Sequence, residues 1–188
     1  MLLKEKTVQE VMDKVVREIE KRGWLSGVGY RAKLQQESYW ASWRVELSCL
    51  IDGKQVNHKI EVLGNMRVWL DALADVPSDV VFFGRRHVER LAKLLTVLLI
   101  ARYFEIMAKR ILNSVIFYAD DVTTTKAVVT LHSPKNGNKI AVVGVGIRGD
   151  DLFVKIVRFH GGVGNDVFHG DIGGAVQAFK GLLFELTI

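Results

Sequence analysis

Two adjacent carboxylates, Asp120 and Asp121, close the run Val115-Ile-Phe-Tyr-Ala-Asp-Asp-Val122. Paired acids at a strand end are a donor set for divalent metal ions. A second group surrounds Gly161-Gly-Val-Gly-Asn-Asp166-Val-Phe-His-Gly170, where His160 and His169 flank the glycines and Asp166 and Asp171 stand nearby. Folded back on itself, that segment would gather imidazole and carboxylate ligands. A third set is dispersed but regular. Arg31, Lys33, Gln35, Trp40, Ser42, Arg44, Gln55, Asn57 and Lys59 fall on one side of three alternating segments. Cations for phosphates, amides, and a ring for base stacking are what a single-strand platform uses.

Tyr118-Ala-Asp120-Asp121 resembles the YxDD box of reverse transcriptases, and the resemblance implies a two-magnesium site for nucleotidyl transfer. That family also needs a third aspartate on an earlier palm strand. Asp52 and Asp71 lie upstream without the surrounding motif, and 188 residues are too few for a fingers-and-palm region. The bare residues read as a turn with two solvated acids. The glycine segment resembles one calcium-binding RTX nonapeptide, but a β-roll needs at least about three repeats. It reads as a glycine-rich loop. It also lacks the Lys-Ser/Thr of a phosphate loop, and Asp171 would repel a phosphate. His58 belongs to the apolar side of its strand, and His87 to a basic helix start with Arg85, Arg86 and Arg90. No Gly-x-Ser-x-Gly elbow and no Cys-His or zinc pattern occurs. No catalytic residue, metal or cofactor is therefore assigned.

The elements that must carry these residues follow from periodicity. Thr7-Val-Gln-Glu10 has capping-box spacing, Val8, Val11, Met12, Val15, Val16 and Ile19 recur at helical intervals, and Gly23 supplies a stop. Strands are expected over 30–36, 40–51 and 54–63, with the Asp52-Gly53 turn joining the last two. Tyr39, Trp43, Val45, Leu47 and Cys49 share the apolar side; Trp40, Ser42, Arg44, Glu46 and Ser48 oppose them. A short helix over 66–74 and a long apolar helix over 85–112 come next. Then strands are predicted over 126–132, 139–148 and 151–160, with another near 115–118. The 140–147 run is apolar on both sides, which makes it a central, covered strand. Asp171 caps a closing helix that buries Ile172, Val176, Phe179, Leu182, Leu183 and Leu186.

The fold class is α+β: two antiparallel sheets of three to four strands backed by helices. Ile51-Asp-Gly53-Lys-Gln-Val56-Asn-His-Lys59-Ile60 is echoed by Ile147-Arg-Gly149-Asp-Asp-Leu152-Phe-Val-Lys155-Ile156. The echo predicts a duplicated α-β-β-β-α unit within one compact domain, with halves at 1–80 and 84–188. Hydrophobic residues at 49% and a mean hydropathy of +0.16 fit a well-filled core. A single cysteine, Cys49, excludes an internal disulfide and fits a reducing, cytoplasmic setting. The first segment has no signal-peptide order, and Lys93, Arg102 and Glu105 interrupt the most apolar run, so no membrane partner is expected.

Net charge of +5 and a pI near 9.3 permit an acidic partner without requiring one. The expected function is therefore non-catalytic binding of single-stranded DNA or RNA through Arg31, Lys33, Trp40, Arg44, Asn57 and Lys59. In outline this arrangement is similar to the Whirly and PC4-like single-strand binders, which pair small antiparallel sheets with helices. The alternative is a homo-oligomeric assembly protein dimerising through the long apolar helix. Third comes a metal-dependent enzyme at Asp120 and Asp121 or at the glycine segment.

Overall fold

A computed structural model describes residues 5–36, 41–63, 67–70, 80–81, 85–109, 113–120 and 124–187. The chain divides into two compact units, Met1–Leu99 and Ile100–Ile188, each built on a five-stranded antiparallel meander. The α+β class and the two antiparallel sheets are as the periodicity predicts. Each sheet extends past the expected three or four strands by short or glycine-rich edge segments.

The first unit begins with helix α1, Glu5–Arg22. Since α1 already runs from Glu5, Thr7 lies inside it rather than at its cap. Its C-terminal stop is as expected. Gly23 takes a φ of 69°, its N–H donates to Glu20 O at 3.0 Å, and the Trp24 N–H reaches Ile19 O at 3.4 Å. That pair of bonds is a Schellman cap, and the φ favours glycine. The sheet runs β1 (Ser26–Gln36), β2 (Ala41–Ile51), β3 (Lys54–Leu63), β4 (Arg67–Leu70) and β5 (Val80–Val81), in that spatial order. β4 corrects the expected helix: Arg67-Val-Trp-Leu70 pairs with β3, Trp69 opposite Glu61. Aromatic and β-branched side chains prefer that pleated setting.

Trp43, Val45, Leu47, Cys49, Ile51, Val56, His58, Ile60 and Val62 are buried, with Val8, Val11, Met12, Val15 and Ile19 of α1. The inner face of this sheet is thus the one assigned by alternation. Tyr30 ties β1 to α1 by donating its hydroxyl to Asp13 Oδ1 at 2.7 Å. Burial, followed by the bond to the Asp13 carboxylate and its charge, pushes the Tyr30 phenol up to about 12. Desolvation alone pushes the buried Cys49 thiol up to about 12 as well, which makes it an inert core side chain.

Helix α2, Arg85–Ala108, carries the division between the units at Leu99/Ile100. The expected halves would instead separate ahead of this helix. Nearly every side chain from Leu91 to Ala101 is buried, so its apolar surface is covered within one chain. Thr96 satisfies its hydroxyl on Ala92 O at 2.7 Å, the usual solution for a helix-buried threonine. Near the N-terminal end, Arg22 of α1 bridges to Glu89 at 2.7 Å.

The second sheet is ordered β10-β9-β8-β7-β6: β6 (Asn113–Asp120), β7 (Thr124–His132), β8 (Lys139–Arg148), β9 (Asp151–His160) and β10 (Val163–Gly170). β8 is central, as its apolar run predicts. Ala141, Val143, Val145 and Ile147 are buried on one side, while Ile140 and Val142 are only half-buried on the other. Helix α3, Ile172–Thr187, lies against β9 and β10 and buries Ala175, Val176, Phe179, Leu182 and Leu183. Asp171 caps it as expected: its Oδ1 accepts from the Gly174 N–H at 2.8 Å.

The echoed segments both contain a two-residue hairpin turn, but not the same one. Ile51 pairs with Lys54 around Asp52-Gly53, both at positive φ (51° and 70°), which is the type I′ combination. Arg148 pairs with Asp151 around Gly149-Asp150, where only Gly149 is positive (62°), as in type II′. The matching glycine is therefore second in one turn and first in the other. The first turn joins strands two and three of its sheet, the second joins strands three and four. The echo does not mark equivalent strands, and the duplicated unit loses that support.

Candidate nucleic-acid interface

The wet side of the first sheet is set by register. Lys33, Arg44 and Glu61 form one cross-strand row, and Arg31, Glu46 and Lys59 form the next. Gly29, Ser48 and Asn57 make a third. Arg31, Lys33, Arg44, Asn57 and Lys59 are all exposed, so five of the six expected site residues share one solvated surface. Trp40, the sixth, lies outside the described residues. Four cations against Glu46 and Glu61 leave the described surface net positive.

The rows also show which cations are held. Turned with its amide oxygen toward Arg44, Gln35 accepts from Nη2 at 3.1 Å and Nη1 at 3.3 Å. Among the described residues, Arg31, Lys33 and Lys59 have no ion-pair partner. Ser42 departs from expectation. Though on the wet side by alternation, it is buried and donates to Glu61 Oε1 at 2.7 Å. That bond engages one of the two acids that would repel a phosphate. Gln55 bonds weakly to Asn57 Oδ1 at 3.4 Å, which leaves the Asn57 amide nitrogen toward solvent. At the turn end, Leu50 is 48% exposed and packs over Gly27, where a Cβ would meet its Cδ1 at 3.0 Å.

The other expected sites belong to the second sheet. Asp120 ends β6 opposite Thr125, and Asp121 lies outside the described residues. The glycine segment is not a loop but a Gly161-Gly162 hairpin turn, with φ of 56° and 83°, feeding β10. A two-residue Gly-Gly link between strands was the signal that could have shown this. His160 pairs with Val163 and His169 with Lys155. Five positions along β9 therefore separate them by roughly 16 Å, so the ladder keeps these imidazoles apart. Among the described residues no group of three His, Cys, Asp or Glu side chains could hold a metal ion. His58 is buried on the inner face, as its strand position predicts.

Sequence reasoning passed over the outward side of β9, where Phe153, Lys155, Val157 and Phe159 alternate with buried Val154 and Ile156. The same period-2 argument used on the first sheet would have found it. No family model, curated protein or solved structure matches this chain. Among the described residues, no helix is long and apolar enough to cross a membrane.

Proposed function

We propose that the chain is a non-catalytic nucleic-acid-binding protein that takes single strands across the outer face of its first sheet. One observation carries the reading: exposed Arg31, Lys33, Arg44 and Lys59 sit in adjacent cross-strand rows, opposite the face on which α1 is anchored. Cations on a pleated surface meet successive phosphates of an extended backbone, while exposed Asn57 offers an amide to base or sugar edges. Trp40 supplies the stacking ring in this reading. A cytoplasmic setting goes with it, on the strength of a lone, buried Cys49.

Fluorescence anisotropy with a labelled oligonucleotide tests the proposal. Binding should be tight at low salt and fall steeply as salt rises, because condensed counterions are released from the phosphates. A duplex of equal length should bind more weakly. Flat titrations at low salt, with a dimer on a sizing column, would favour assembly instead. The burial of α2 gives that rival no support from the long helix. Ile106, at 48%, is the large apolar side chain of α2 left exposed among the described residues.

A further inference from the structure

Three phenylalanine rings of the second sheet rest over glycines, and two of them face away from α3. A Cβ built on Gly146 would lie 2.4 Å from Phe153 Cζ, so the ring fills the space where a side chain would stand. On the same face, a Cβ on Gly164 would meet Phe159 Cε1 at 3.1 Å. Phe168 does the equivalent over Gly174, but on the α3 side. Glycine opposite an aromatic is a known way to cover exposed strand backbone. It also has a second effect. A ring supported by backbone beneath keeps its other side toward solvent, and Phe153 and Phe159 are both partly exposed.

The surroundings of these rings are cationic. Lys155 stands between them on β9, Lys126 is in register with Gly146, and Lys139 Nζ lies 4.3 Å from the centroid of Phe159. All three lysines are exposed. His169 adds a ring 5.8 Å from Phe153. Among the described residues, Asp151 and Asp166 are the acids of this face, and Asp166 pairs with Lys155 at 3.5 Å. Rings about 20 Å apart along one strand with lysines beside them fit an extended polyanion that carries flat bases.

We infer that the outer face of the second sheet is a base-stacking surface for single-stranded nucleic acid, with Phe153 and Phe159 as its platforms. The inference rests on the proposed function for its ligand class and adds a surface of different chemistry. Phosphates meet Lys126, Lys139 and Lys155, and the Lys139 ammonium moves off the Phe159 ring onto a phosphate as a base takes its place. Stacking is indifferent to base identity, so sequence preference is weak.

The test uses the full chain and a labelled oligothymidylate. Phe153→Leu with Phe159→Leu should raise Kd on the order of tenfold or more, leaving the salt slope unchanged. Phe153→Tyr with Phe159→Tyr should bind like the wild type. On the wild-type protein, an oligonucleotide carrying iodouracil should photo-crosslink within residues 151–160, a readout independent of how the variants fold. Equal binding by the leucine variant, or no crosslink in that segment, overturns the inference. So does a wild-type dimer that the leucine pair converts to monomer, since the face would then be covered by a second copy. If the leucine pair loses binding while Arg44→Glu with Lys33→Glu does not, this surface stands and the first-sheet reading falls. The reverse pattern retains the first sheet and removes this one. Failure of the wild type to bind at low salt removes both.

Discussion

The two meanders have the same strand count and the same antiparallel order, yet their outer faces are made differently. On the first sheet, long polar side chains stand in rows of mixed charge across β1, β2 and β3. On the second, glycines at Gly144, Gly146 and Gly164 lower the surface, and Phe153 and Phe159 lie over two of them. A sheet face can be kept soluble by projecting charges or by covering bare backbone with rings. The first solution gives a ligand long-range attraction, and the second gives it short-range contact area. Inner faces do not differ in this way, since both are dense with buried aliphatics.

The comparison can be broken most forcefully from the inside. Trp43 is 6% exposed, so Trp43→Ala should cost about 3–5 kcal/mol in a denaturant melt. A silent result would mean the register is off by one residue and the cationic face turns inward. Next comes pH. The Cys49 thiol is raised to about 12 in the folded protein, above its ordinary range near 9. A thiol raised on folding contributes stability that is fully present below pH 9 and lost between about pH 9 and 12. Cys49→Ala should flatten that alkaline decline by on the order of 4 kcal/mol over that range, measured as the difference between the two proteins' pH profiles.

Gly146→Ala sharpens the contrast between the outer faces. Its methyl would displace the Phe153 ring, at an expected loss of about 1–2 kcal/mol; adding Phe153→Ala should relieve the clash and make the pair non-additive. Additive losses would show that the ring does not depend on the glycine. Arg44→Glu or Lys33→Glu should change stability by less than about 0.5 kcal/mol while each lowers the salt slope of binding by about 1. The smallest effect is expected for Arg158→Ala, which removes an exposed pair with Glu185 of α3 and should cost less than about 1 kcal/mol.

Where alternation was unbroken, the chain could be read directly. β3 runs over Lys54–Leu63 as its period-2 pattern dictates, and the Asp52-Gly53 turn fixes its register, which is why five of the six residues expected at the site fall together. β10 was illegible for a physical reason. An extra residue between Asp166 and Phe168 makes a bulge, so Asp166 sits opposite Val157 on the outer side and Phe168 opposite Ile156 on the inner. Residues of equal parity thus face opposite ways, and no alternating template fits them. Gly27, at a φ of 63°, accompanies a similar shift between Ser26 and Gly29, ahead of the first residue assigned to β1 from sequence. For β4 the obstacle was length, because four residues carry too little pattern to separate strand from helix. The outward side of β9 was legible by alternation, but its mixture of rings and a single lysine resembles neither a charge cluster nor a metal-ligand set.

The position of the unit division inside α2 bears on how the protein is made. A ribosome that has delivered Leu99 has finished the first unit's sheet but only part of its last helix. The remaining 89 residues take roughly 4–18 s to follow at ordinary elongation rates. Until α3 is made, Phe104 has no Phe179 to receive it, since their edge-to-face contact at 5.0 Å is supplied by that helix. We expect the nascent chain to be a chaperone client during that window, with residues 100–108 as the recognised segment. A stalled-ribosome series ending before and after Phe179 would show protection from protease arriving only with the longer chains.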